Sequence, residues 1–154
     1  MYLILVDGTK LNHIGATGTT KYIQGANRDT ITFIFDDTKS VDELDALFNE
    51  TNCEVINIVT EEDVVVTEEI TKEDGSVEYV EHPQTVYTDN YHYGYVIRES
   101  ISKKISVITP ATGTTPEVTE TQIHVTMAQR TYAETQIANL TETVDVLVLE
   151  SLMA

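Results

Sequence analysis

The side chains that could do chemistry are few, and their spacing is poor for it. Four histidines, His13, His82, His92 and His124, are scattered along 154 residues. None stands at helical or turn spacing from another histidine, a cysteine or a carboxylate, as a metal site built on one element requires. His82 and His92 could meet only across a hairpin. The acidic runs Asp36-Asp37 and Glu61-Glu62-Asp63 lack the spaced oxygen ligands of a calcium loop and read as solvated turns. Cys53 is the one cysteine. It permits no internal disulfide, has no activating neighbour in the run CEVINIV, and fits a small core side chain. No pair among the 26 acids is singled out as the acid and base of a glycosidase. No Ser-His-Asp or Cys-His set is visible either. The expectation is a chain that is not an enzyme, with no catalytic residue, no metal and no cofactor.

Gly15-Ala16-Thr17-Gly18-Thr19-Thr20 is rich in small residues and reads as a loop. It lacks the Gly-Lys-Ser/Thr ending of a phosphate loop, and no helical pattern follows it to aim amides at a phosphate. The better binding patch is aromatic. In YTDNYHYGYVI, Tyr91, Tyr93 and Tyr95 alternate onto one face of a strand, with Tyr79 and Tyr87 near by. Tyrosine suits protein interfaces and sugars, because it combines contact area with a polar tip. The competing reading is that this face packs in the core.

Charge removes whole classes of partner. Nine Lys and Arg against 26 Asp and Glu give a formal net charge of −17. A nucleic-acid binder needs a basic face, and an anionic membrane surface repels an acidic one. No apolar run is long enough to span a bilayer. MYLILVDGTK has no basic region ahead of its apolar residues, so a secretory signal is not expected and synthesis in the cytoplasm is. Charge alone also suggests an acidic mimic of nucleic acid, but the acids are spread along the chain instead of clustered.

The elements that would position these residues are mostly strands. Threonine, valine, isoleucine and tyrosine suit a pleated, half-buried surface. Met1–Val6, Thr9–Ile14, Thr30–Phe35, Cys53–Val59, Lys104–Thr109 and Val118–Met127 read as strands, several with clean alternation. Ser40 and Glu43 form a capping box ahead of a short helix whose stripe is Val41, Leu44, Leu47 and Phe48. The strands either side of that helix read as parallel neighbours. Lys72-Glu73-Asp74-Gly75-Ser76 is a hairpin turn between polar flanks that project into water and are broken by Pro83.

The last stretch is different. Ala133, Ile137, Leu140, Val144 and Leu147 are spaced 4, 3, 4 and 3 apart, an apolar seam along one helix. It could pack on the chain's own sheet. It could also pair with the same helix of another copy, with Ile137 and Val144 at a positions and Leu140 and Leu147 at d positions, a choice that leans to a parallel dimer. An isolated helix of this length is marginal in water and needs one cover or the other. The expected class is α+β and β-dominated: a small antiparallel or mixed β head with one short helix over residues 1–126, with a possible sub-boundary near 60–63. A C-terminal amphipathic, short coiled-coil-like helix follows over 127–154.

Two stretches carry a resemblance. AETQIANLTETVDVLVLESLMA, with Leu140, Thr141, Glu142, Thr143, Val144, Asp145, Leu147, Val148 and Leu149, resembles the ends of small structural proteins of tailed phages and prophages of Gram-positive bacteria. ITFIFDDTKSVDELDALFNETNCEVINI resembles their strand-helix-strand heads. The resemblance covers about half the chain. It implies a non-enzymatic virion component of tail or baseplate, or a capsid-surface protein. Its copies would assemble through the C-terminal helix as a homo-oligomer, dimer or trimer, in contact with other virion proteins. It transfers no catalytic residue. A carbohydrate or receptor module using Tyr91, Tyr93 and Tyr95, with a host surface glycan as partner, is the alternative from another class.

Overall fold

Alternation of large apolar and polar residues decides which face of each strand goes inside. The structure, a computed structural model, describes all residues, Met1–Ala154. Its strands are β1 (Tyr2–Ile4), β2 (Lys10–Asn12), β3 (Gly15–Ile23), β4 (Ala26–Asp36), β5 (Val55–Thr71), β6 (Val77–Tyr93), β7 (Ile97–Thr109) and β8 (Val118–Ala128). Its helices are α1 (Val41–Leu47) and α2 (Tyr132–Met153). The class is α+β and β-dominated, with antiparallel pairing throughout.

The strands form two four-stranded sheets, ordered β2-β1-β5-β6 and β3-β4-β8-β7. Residues paired across strands share a face. Leu3 opposite Leu11 and Ile58 supplies one inner face; Phe33 opposite Val125 and Phe35 opposite Ile123 supply the other. These side chains are buried in one core cluster. The capping box ahead of α1 is complete, with the Glu43 amide donating to Ser40 Oγ and the Ser40 amide to Glu43 Oε2. α1 buries Leu44, and Phe48 just beyond it packs 5.7 Å from Phe33 and 5.8 Å from Phe35 between ring centroids.

Several local expectations yield to non-local pairing. Gly15–Thr20 is not a loop but the start of β3, paired residue for residue with β4 and joined to it by a tight turn. In that turn Gln24 and Gly25 both have positive φ, 49° and 80°, the signature of the turn whose twist suits a two-residue hairpin. β4 and β5, on either side of α1, are not parallel neighbours; they belong to opposite sheets, and the helix carries the chain between layers. Glu61-Glu62-Asp63 is neither a turn nor a boundary, since β5 runs through it opposite Thr85–Tyr87. Both faces are wet there, so acids cost a strand little, and Thr85 Oγ1 donates to Asp63 Oδ1 at 2.8 Å. Pro83 does not break β6, which is an edge strand where a missing amide can face the open side. β8 continues through Met127 and Ala128, both fully buried, so the head extends slightly past residue 126.

β1 covers β5 only at Asn57–Val59. Beyond that point β5 and β6 continue as a two-stranded ribbon to the turn at Gly75. Twelve residues of β5, Thr60–Thr71, stand in this ribbon, a length of about 40 Å.

Candidate assembly helix and groove

α2 begins where β8 ends, and its first turn is fastened to the head. Thr131 caps it: the Glu134 amide donates to Thr131 Oγ1, and the Thr131 amide donates to Glu134 Oε2. The same Glu134 carboxylate receives the Arg28 guanidinium in a two-point pair, at 2.5 and 2.7 Å. The Arg28 side chain is 1 % exposed. Two further donors go to the carbonyls of Ile23 and Gln129. Hydrogen bonds from Arg28, then from the Thr131 amide, hold the Glu134 carboxyl down at about 2. Arg130, one residue ahead of the cap, pairs with Glu50 and with Glu54. The helix therefore leaves the head at a set position.

Beyond that turn nothing covers it. No residue of α2 is buried. Ile137, Leu140, Val144 and Leu147 are each about half exposed or more, and Ala133 is exposed as well. The seam is not packed on the chain's own sheets. A second apolar row, Val146, Leu149 and Met153, lies on the opposite side of the last turns and is also exposed. In the heptad frame set by Ile137 and Leu140 these residues take outer positions, so the helix tip is apolar nearly all round. α2 carries Glu134, Glu142, Asp145 and Glu150 and no basic residue.

The tyrosine strip is split. Tyr79, Tyr87, Tyr91 and Tyr93 share a face of β6 and are all more than half exposed. Gly94, at φ 72°, ends the strand and turns the chain, so Tyr95 leaves that face and packs against the core. His92 points to the inner face, opposite Ile56, with its ring edge-on to Tyr95 at 5.9 Å. His82 and His92 lie on the same strand and cannot meet across a hairpin; His82 sits 3.2 Å from Glu68 on β5.

Where the β3 edge of one sheet faces the β6 edge of the other, a groove of about 460 Å³ opens, lined by Ala16, Gly18, Thr20, Asp29, His92 and Tyr95 among others. It exists because the inner face of β3 carries only small side chains opposite Phe33, Ile31 and Asp29. The residues read from the sequence as an ordinary loop thus form a wall, which only their pairing with β4 reveals.

The remaining candidates are structural or isolated. Cys53 is fully buried and burial pushes its thiol up to about 12. His13 is buried edge-on to Phe33 and Phe35, with neither ring nitrogen hydrogen-bonded, and burial lowers its titration. No three His, Cys, Asp or Glu side chains come close enough to share a metal ion. No helix is long and apolar enough to cross a membrane. No protein-family model matches the chain, and neither a curated protein nor a solved structure does.

Proposed function

We propose that this chain is a non-enzymatic structural protein of a phage particle, tail- or baseplate-associated, whose copies are joined through α2. The observation that carries the proposal is a 22-residue helix, capped and clamped at its first turn and covered nowhere along its length. Such a helix, about 33 Å long, ordinarily draws most of its stability from packing an apolar face, and here no residue of that face is buried. Each large seam side chain fully covered contributes roughly 1.5–3 kcal/mol. A parallel pair would bury the a and d seam but leave Val146, Leu149 and Met153 in water. The last turns therefore need cover beyond one partner helix, from further copies or a neighbouring virion protein. The four exposed tyrosines of β6 offer a second contact face of the kind used between proteins. The family assignment within this proposal rests on the resemblance of the two quoted stretches.

The test is solution mass by light scattering on the full chain and on its Leu140→Asp/Leu147→Asp variant, with circular dichroism of both. The expected result is an oligomer that the double substitution converts to a monomer with unchanged strand content. A full chain that is monomeric at every concentration, or a variant that assembles as the parent does, overturns the proposal.

A further inference from the structure

The groove between β3 and β6 has the chemistry of a small-molecule site, and it is separate from α2 and from the exposed tyrosines. Its floor is apolar, from Ile31 and Ile58. One corner is formed by the rings of His92 and Tyr95, nearly perpendicular at 81°. The lining also includes Asp29, whose carboxylate accepts a 2.8 Å hydrogen bond from Thr20 Oγ1. Burial, and after it the charge of Asp29, raises the titration of the Tyr95 phenol, and the two side chains form no hydrogen bond. The Asp29 carboxylate and the Tyr95 phenol thus belong to one groove lining, the first an acceptor and the second a donor. No lysine or arginine lines the groove.

Each feature selects against a ligand class. An anion would meet Asp29 with no cation to offset it. A wholly apolar ligand would bury that charge with only the Thr20 hydroxyl to offset it. A neutral polyhydroxylated ring satisfies both needs: its hydroxyls donate to Asp29 and accept from Tyr95, while its C–H face lies on an aromatic ring. The volume is in the range of small-ligand sites. We infer that the groove binds a neutral pyranose, as a mono- or disaccharide, between Asp29 and Tyr95 over the His92 corner.

The experiment is a titration of the isotope-labelled full chain with glucose, galactose, N-acetylglucosamine, maltose and lactose, followed by amide chemical shifts. Saturable shifts at Gly18, Thr20, Asp29 and His92 with at least one sugar are expected. Tyr95→Phe should weaken that binding about fivefold, the loss of one hydrogen bond. Gly18→Val should weaken it by more than that, by narrowing the groove beside Ile31. A Cβ at Gly18 comes no nearer than 3.8 Å to any neighbour and its φ is ordinary, so the backbone accepts a side chain there, and circular dichroism of the variant checks that its strand content is kept. Tyr91→Ala and Tyr93→Ala should leave binding unchanged. No saturable shift with any sugar overturns the inference. So does binding that survives Gly18→Val and disappears in Tyr91→Ala, which would move the site to the outer face.

Discussion

Arg28 and Glu134 lie 106 positions apart and meet through two parallel hydrogen bonds of 2.5 and 2.7 Å. Arg28 is on β4, inside the head; Glu134 is the third residue of α2. One carboxylate therefore serves two purposes. It completes the helix cap, and it neutralises an arginine whose side chain is almost wholly buried. The direction of α2 is set by this contact and not by packing along its length.

The pair makes stability depend on acid. The folded Glu134 carboxyl titrates at about 2, against an ordinary value of 4.5. Between those values the unfolded chain binds a proton at this position and the folded chain does not, so stability falls as pH falls through that window. Glu134→Gln should lower the melting temperature at pH 7 by leaving Arg28 without its counter-charge. The difference between parent and variant should shrink as pH drops from 4.5 to 2. Thermal melts across that range check both.

His13 works the same way at higher pH. Burial holds its titration below 6.5, the ordinary value. The folded chain keeps the ring neutral where the unfolded chain would protonate it, so its contribution is complete above 6.5 and declines as pH falls below that value. His92 and His124 are lowered by burial too, so the difference between variant and parent isolates His13. His13→Leu removes two unpartnered buried nitrogens. It should stabilise the fold by about 1 kcal/mol near neutrality and by more at pH 5. Urea unfolding at both pH values measures this.

Cys53 should report on opening of the core. Its side chain is fully buried and its thiol is pushed up to about 12. Reaction with a thiol reagent at neutral pH should be about a thousandfold or more slower in the native chain than in denaturant. Rapid labelling of the native chain would mean that the turn between α1 and β5 opens independently of the core.

The ribbon formed by the far ends of β5 and β6 should be the least protected part of the sheets. Two strands without a third or a packed face are marginal. Amides from Glu62 to Val86 should exchange with solvent far faster than those of Ile56 and Ile58, which lie in the core. Hydrogen exchange read residue by residue tests it. Equal protection would imply a covering surface, such as a second copy against the ribbon.

The sequence by itself determined what depends on neighbours a few residues away. Alternation marked the inner faces of β4 and β8, Ser40 with Glu43 marked the start of α1, and the spacing from Ala133 to Leu147 marked the seam of α2. These signals lie within one or two turns of chain, so the residues concerned carry them wherever they are placed. The tertiary structure alone decided the rest. It paired Gly15–Ile23 with β4, carried β5 and β6 straight through Asp63 and Pro83, and turned Tyr95 away from Tyr93 into a groove. Local composition at those positions favours loops and turns, and pairing with a distant strand supplies backbone hydrogen bonds that outweigh the preference. Glu134 shows the division most plainly. Its place three residues after Thr131 is a local capping signal, absent from the sequence reading above, and nothing near it in sequence announces that a buried arginine on β4 needs its charge.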